Sequence, residues 1–236
     1  ASLMSIIMTG TKIPIFLVSS NLPLTMREAN GNDNFKASVE LITKGVAPNV
    51  YVAYRNREVS GEKMYIHYAS HLLQCANRSD NFYSNDMMPI ELFKPKRTTI
   101  SEMPLYSLPK LSPSVLYITP YVGLDYSRIS LRGVKAVLHG TYHSSTFCMS
   151  PNAKKCSLIE FKKRCDKRSI LLFVEPCDEN AYSYETTGEL LRSGAFAIGT
   201  MTSEMTYVKL LCGVSFGYSG EELIQYMNTE ENGEFF

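Results

Sequence analysis

Two histidines and four serine or threonine hydroxyls lie within residues 139–146, His-Gly-Thr-Tyr-His-Ser-Ser-Thr. His139 and His143 are four residues apart, which is the spacing of two zinc ligands on one face of a helix. The stretch follows the apolar run Val134–Leu138, however, and Gly140 favours a turn after a strand over a helix. No Cys-x-x-Cys pair accompanies the histidines. We therefore predict a ligand-facing or interface-facing turn at a strand end, and no metal site.

Alternating strands and helices must position this turn. Apolar runs predict strands, and apolar residues at helical spacing predict helices. The alternation on both sides of a proline-rich middle predicts an α/β protein of two domains with mainly parallel sheets. The predicted strands are 13–19, 49–55, 63–69, 115–119, 134–139, 169–175 and 195–199, and the predicted helices are 33–44, 123–133, 156–167, 183–194, 202–212 and 220–227.

Proline and basic residues separate the two series. Residues 84–113 contain Pro89, Pro95, Lys96, Arg97, Pro104, Pro109 and Pro113. Proline disfavours both helix and central strand, so we predict a linker over 84–113 between domains at 1–83 and 114–236.

Composition narrows the classes of partner. The net charge is +1, which gives no electrostatic reason to expect a nucleic acid or a membrane surface. No apolar stretch reaches the ~20 residues of a membrane span. The six cysteines are scattered, unlike those of a disulfide scaffold, which favours a reducing, cytoplasmic setting. We expect a small-molecule ligand.

The most specific motif lies in residues 194–236. A small-residue strand is followed by a Met-Thr-x-Glu helix start, a Lys-Leu pair and a last helix that ends near Asn and Gly-Glu. This order resembles the end of L-asparaginases of the bacterial cytoplasmic type. The residues concerned are Met201, Thr202, Glu204, Lys209, Leu210, Asn232, Gly233 and Glu234.

Three earlier stretches are similar to the same family in order and spacing: residues 16–35, 47–82 and 133–146. The resemblance implies that residues 1–83 are the remainder of a truncated flavodoxin-like domain and that 114–236 form a smaller α/β domain. It also implies hydrolysis of a side-chain amide, asparagine or a related one, by a threonine nucleophile without a cofactor, in a homodimer or homotetramer.

The family's two catalytic threonine motifs do not occur in this sequence. Residue 1 opens midway through a helical pattern, so we expect an upstream segment in the natural protein. We also expect the chain to be poorly soluble without a partner segment, because lost strands expose a sheet edge.

The resemblance assigns few site residues. The family's proton-handling lysine falls on Ile66, which cannot transfer a proton. Lys63 is a possible stand-in, although alternation along a strand places it and His67 on the face opposite Ile66. We expect His67 and His71 to be structural. Ser20 matches a residue that contacts substrate through its backbone.

The opening turn also has a counterpart in cytoplasmic relatives, where it helps form a second, regulatory asparagine pocket. The candidates here are Thr141, Tyr142, Thr146 and Cys177. Three hypotheses remain open for the whole protein: an asparaginase-type enzyme whose present chain alone is inactive, a non-catalytic binding or regulatory protein on the same fold, and an amidase for another amide such as glutamine.

Overall fold

The computed structural model describes residues 1–94, 110–150, 152–177 and 184–236. They form two compact units. The first combines the described residues of Ala1–Leu108 with Glu230–Phe236, and the second comprises those of Pro109–Thr229. In the described part of the chain no helix is long and apolar enough to cross a membrane.

The first unit contains one four-stranded sheet in the order β1-β2-β3-β4. Its strands are β1 (Ile15–Phe16), β2 (Val50–Glu58), β3 (Gly61–Tyr68) and β4 (Met88–Pro89), and its helices are α1 (Ser2–Ile7) and α2 (Gly31–Thr43). β1 runs parallel to β2, whereas the β2–β3 and β3–β4 pairs are antiparallel. This sheet is mixed because a tight turn joins β2 directly to β3. Gly61 adopts φ +116° there, a conformation that side chains disfavour.

The core of this unit lies between α2 and the sheet. Ala37 and Leu41 of α2 pack against Tyr51 and Ala53 of β2 and Ile66 of β3. The 3–10 turn Ala69–His71 follows β3, and the C-terminal tail binds this unit.

The predicted linker contributes to this unit. Met88 and Pro89 form β4 and pair with Ile66 and Tyr65. A proline is tolerated there because β4 is an edge strand, where a missing N–H leaves no neighbour unpaired. Pro95, Lys96, Arg97, Pro104 and Pro109, which also prompted the linker prediction, lie outside the described residues.

The second unit contains a parallel sheet in the order β5-β6-β7-β8. Its strands are β5 (Val115–Ile118), β6 (Ala136–Gly140), β7 (Leu171–Glu175) and β8 (Phe196–Ala197). Its helices are α3 (Leu158–Asp166), α4 (Glu185–Arg192), α5 (Ser203–Phe216) and α6 (Gly220–Met227). β6 and β7 are almost wholly buried, as expected of central parallel strands. The predicted two-domain α/β class is confirmed. Four of the six strand pairs in the described residues are parallel, and the two antiparallel pairs both lie in the first unit.

The helix predicted over 123–133 does not form. A short 3–10 turn, Tyr126–Arg128, occupies part of it. The Asp125 carboxylate accepts the Ser127 N–H at 2.9 Å and the Ser127 hydroxyl at 2.5 Å, and such local bonds compete with helix formation.

Candidate functional site

The loop after β1 carries Ser20, the predicted substrate contact. Its two ends are tied together by a reciprocal pair of hydrogen bonds. The Asn21 N–H donates to Oδ1 of Asn30, and the Asn30 N–H donates to Oδ1 of Asn21, both at 2.9 Å. Residues 21 and 30 are therefore held side by side, and α2 begins at Gly31.

Two asparagine side chains attach this loop to β2. Asn34 Nδ2 donates to the Ser19 carbonyl at 2.9 Å, and Asn34 Oδ1 accepts the Arg55 N–H at 2.8 Å. Asn30 Nδ2 donates to the Arg55 carbonyl at 3.0 Å. Both asparagines are buried. Because a buried amide is costly to leave unpaired, these bonds fix the loop against the backbone of Arg55 in β2.

Ser20 lies against the first turn of α2. Its hydroxyl donates to the Leu22 carbonyl at 2.6 Å and accepts the Gly31 N–H at 3.2 Å. A Cβ atom on Gly31 would lie 2.5 Å from Cδ2 of Leu24 and 2.7 Å from Cβ of Ser20, closer than atoms can approach. The Ser20 side chain thus helps to shape the loop, and Ser20 itself is exposed. Its contact with a substrate through the backbone stays a prediction.

Arg55 bridges α2 and the β2–β3 hairpin beside this loop. Its Nη1 lies 2.9 Å from Oδ2 of Asp33 and 2.8 Å from Oε2 of Glu62. All three side chains are partly exposed, so the network contributes more to orientation than to stability.

Ile66 and Lys63 lie on opposite faces of β3. Ile66 is 1% exposed and belongs to the cluster under α2, together with Met64 and Tyr68. Lys63 is exposed and lies opposite Asn56 in the strand pairing. The structure therefore does not bring Lys63 to the sheet face that holds Ile66, and Lys63 as a stand-in for the family's lysine stays a prediction.

Two histidines of the first unit make structural contacts. His67 is fully buried, its Nδ1 lies 2.8 Å from the Ser84 hydroxyl, and burial lowers its pKa to about 4. His71 Nε2 donates to the Gly233 carbonyl at 2.8 Å, and its Nδ1 lies 2.9 Å from Oδ2 of Asp86. His71 thus joins the C-terminal tail to this unit.

His139 and Gly140 are the last residues of β6 in the second unit, and the turn at 141–146 follows them. Thr141 donates its N–H to the Glu175 carbonyl at 2.9 Å, and the hydroxyls of Thr141 and Ser145 donate to the Pro176 carbonyl at 3.3 and 3.1 Å. Tyr142 donates its N–H to the Thr146 carbonyl at 3.0 Å. Three polar groups, on Thr141 and Ser145, therefore hold the turn against the end of β7.

The predicted pocket residues lie near the carboxyl ends of β6 and β7, the two central strands of the parallel sheet. Thr141, Tyr142 and Thr146 belong to the turn after β6, and Cys177 lies just beyond β7, the neighbouring strand. Cys177 is buried, and its N–H donates to the Ile198 carbonyl at 2.9 Å. Their role in ligand binding stays a prediction.

The two histidines of the turn do not converge. His139 is buried, and its Nδ1 donates to the Gly140 carbonyl at 2.6 Å, so its Nε2 accepts the Tyr126 hydroxyl at 2.8 Å. Burial lowers the pKa of His139 to about 4. His143 is exposed. Within the described residues no group of three or more His, Cys, Asp or Glu side chains could hold a metal ion.

One buried acid was missed by the sequence analysis. Glu175 ends β7 and is 1% exposed; its Oε1 accepts the Tyr117 hydroxyl at 2.9 Å. Burial raises the pKa of Glu175. A charged residue at the end of an apolar strand, next to a proline, was the available signal.

Comparisons with known proteins agree with this architecture, although no protein-family model matches the chain. The L-asparaginase of Thermococcus kodakarensis is 22% identical over 240 residues, which cover 99% of this chain and 71% of that protein. The solved structure of the thermostable L-asparaginase from the same organism superposes with a TM-score of 0.74 at 19% identity, covering 100% of this chain and 73% of that one.

L-asparaginase I from Vibrio cholerae O1 biovar eltor superposes with a TM-score of 0.70 at 18% identity, with the same coverage of 100% and 73%. The chain therefore has the fold of the L-asparaginases. Together with the sequence match over nearly its whole length, this likeness confirms the resemblance to the L-asparaginase family.

The Asn34 bridge generates a first prediction. Asn34→Ala leaves the Ser19 carbonyl and the Arg55 N–H without their partner, and should lower the free energy of unfolding by about 2–4 kcal/mol. Asn32→Ala is the matched control, because Asn32 lies in the same helix turn and is exposed; it should cost under about 0.5 kcal/mol. Urea unfolding measures both. Equal losses would show that the bridge does not hold the loop.

The position of Ile66 generates a second prediction. Ile66→Lys places in this packed cluster the lysine that the family resemblance implies at this position. We expect Ile66→Ala to lower the free energy of unfolding by about 2–5 kcal/mol, and Ile66→Lys by at least as much. Ile66→Val, the control, should cost about 1 kcal/mol. A stable lysine variant would mean that this position opens onto a polar site.

The burial of His139 generates a third prediction. Its pKa is lower in the folded state than its unperturbed value of about 6.5, so the unfolded state binds the proton first as pH falls. Between pH 7 and pH 5 this histidine should cost about 2 kcal/mol of stability. His139→Asn should remove that part of the pH dependence measured by urea unfolding, whereas the same change at exposed His143 should not. If the free energy of unfolding changes with pH in the same way for the wild type and His139→Asn, the lowered pKa of His139 is contradicted.

Proposed function

We propose that this protein is an asparaginase-type amidohydrolase that converts L-asparagine, or a related amide, to the acid and ammonia. The match to an L-asparaginase over 99% of the chain supports this proposal best. The geometry adds a second support: residues 19–31 form a rigid loop beyond a parallel strand, which is a usual place for ligands in α/β folds.

The chemistry requires groups beyond this loop. Amide hydrolysis needs an activated hydroxyl and donors for the oxyanion, and these residues carry neither family threonine motif. We therefore propose that the loop around Ser20 positions the substrate through its backbone, and that turnover requires a protein that also contains those motifs.

Ile66 favours a second candidate function. A buried isoleucine stands where the family has its lysine, and it cannot move a proton. A non-catalytic protein that binds an amide or acidic amino acid on the same fold would need no proton relay.

The remaining parts of the proposal concern regulation and setting. We propose that Thr141, Tyr142, Thr146 and Cys177 line a second amino-acid pocket, that the protein acts in the cytoplasm, and that it forms homo-oligomers. The adjacency of the turn and the end of β7 supports the first of these.

Ammonia release and ligand binding by the natural protein test the proposal. We expect release of ammonia from L-asparagine and binding of L-aspartate by calorimetry. Gly31→Ala, which forces Ser20 or Leu24 to move, should lower kcat/KM at least about tenfold, whereas Asn32→Ala should not.

Each other outcome has a distinct meaning. Binding of L-aspartate without ammonia release would select the non-catalytic alternative. Hydrolysis that Gly31→Ala leaves unchanged would retain the enzyme but remove the loop from its site. Neither binding nor release, with asparagine or glutamine, would overturn both functions.

A further inference from the structure

Glu175 holds the turn at 141–146 through its backbone. Its carbonyl accepts the Thr141 N–H at 2.9 Å, and the carbonyl of the next residue, Pro176, accepts the hydroxyls of Thr141 and Ser145 at 3.3 and 3.1 Å. The turn is therefore attached to the last residue of β7 and to the residue that follows it. A movement of this strand end also moves the acceptors that fix the turn.

The side chain of Glu175 lies in a buried polar cluster. Its Oε1 accepts the Tyr117 hydroxyl from β5 at 2.9 Å, and its Oε2 is buried without a hydrogen-bond partner among the residues that the structure describes. Ser203 and Glu204 approach the same carboxyl from the first turn of α5. Glu175 is 1% exposed, and no described lysine, arginine or histidine forms a salt bridge with it.

This cluster supports the neutral carboxyl of Glu175 better than the carboxylate. A buried carboxylate is costly unless a cation or several donors compensate for its lost hydration. Burial raises the pKa of Glu175, and the negative charge of Glu204 acts in the same direction, whereas the hydroxyls of Ser203 and Tyr117 lower it. An ionised Glu175 therefore gains its missing hydration only if the strand end or the start of α5 moves.

We propose that Glu175 is a pH-sensitive anchor of the turn at 141–146: its neutral carboxyl keeps the end of β7 closed, and its ionisation opens that end to water and loosens the turn. The titratable groups that face the carboxyl are Tyr117 of β5 and Glu204 of α5, and Tyr207 of α5 packs on the Tyr117 ring with 5.8 Å between centroids. This device belongs to the second unit and does not depend on the proposed amidohydrolase activity.

The direction of the pH dependence follows from linkage. The pKa of Glu175 in the closed state lies above the ordinary glutamate value of about 4.3, so the closed state keeps its proton to higher pH than an opened, hydrated state. The loss of closure therefore begins above about pH 4.3 and is complete once the pH exceeds the pKa of the closed state. The turn should be held more tightly at low pH than at high pH.

Two NMR measurements on the 236-residue chain, from about pH 4 to about pH 9, test the proposal. The ¹³C shift of the Glu175 carboxyl gives its titration midpoint. Hydrogen exchange of the Thr141 amide, corrected for the intrinsic effect of pH on exchange, gives the protection factor of the turn. This factor should fall about tenfold for each pH unit by which the midpoint exceeds about 4.3.

Glu175→Gln isolates the charge from the shape of the side chain. Glutamine has nearly the same size and cannot ionise, so the protection of Thr141 should no longer depend on pH. Glu222→Gln is the matched control, because Glu222 is an exposed glutamate on α6 of the same unit. It should leave both the Glu175 midpoint and the protection of Thr141 unchanged. Circular dichroism at each pH confirms that the variants are folded.

Two further variants should shift the midpoint of Glu175 in opposite directions, which a merely structural role would not do. Glu204→Gln removes the neighbouring negative charge and should lower the midpoint. Tyr117→Phe removes a donor that favours the charged form and should raise it. We expect each shift to be about half a pH unit or more, and the fall in Thr141 protection should change by the corresponding factor.

Three results would overturn the proposal. A Glu175 midpoint in the ordinary glutamate range would show that the cluster accepts the carboxylate. A pH-dependent protection of Thr141 that persists in Glu175→Gln would come from another group. A raised midpoint with constant protection of Thr141 would show that ionisation of Glu175 does not affect the turn.

Discussion

The first unit depends on one buried side-chain amide. Asn34 accepts a hydrogen bond from the backbone of β2 and donates one to the backbone of the loop that follows β1. A loop of more than ten residues has many conformations in water, and fixing it costs entropy. The Asn34 bridge, the reciprocal Asn21–Asn30 pair and the close approach of Gly31 to Ser20 replace those conformations with one. α2 begins from this point, and its inner face then forms the core with the sheet.

In the second unit, hydroxyl groups fix the conformation of a turn at a strand end. The turn after β6 is rich in polar side chains, yet the hydroxyls of Thr141 and Ser145 both donate to the Pro176 carbonyl, just beyond β7. His139 is the residue of this turn region best suited to acid–base chemistry, yet it is buried. Its ring nitrogens bond to the Gly140 carbonyl and the Tyr126 hydroxyl. These polar residues at a strand end therefore make hydrogen bonds that stabilise the fold.

The general architecture could be predicted from the sequence, whereas the details of the site could not. Apolar runs predicted β6 and β7, which are buried on both faces, and β-branched and aromatic residues predicted β2 and β3. Strand alternation also predicted that Lys63 and Ile66 face opposite sides. The helix at 123–133 was wrong because a local Asp125–Ser127 bond outweighs the periodic pattern. The partners of Asn30 and Asn34 lie far away in sequence, so only the folded chain reveals what these side chains bind.

Hydrogen exchange of single backbone amides, measured by NMR, tests the central claim that the loop around Ser20 forms the substrate side of an asparaginase-type site. We predict that saturating L-aspartate slows the exchange of amides in residues 19–31, where the ligand would contact the backbone, and leaves the strands of the second unit unchanged. Protection confined to the turn at 139–146, or no protection in 19–31 while calorimetry shows binding, would contradict the account and place the ligand elsewhere.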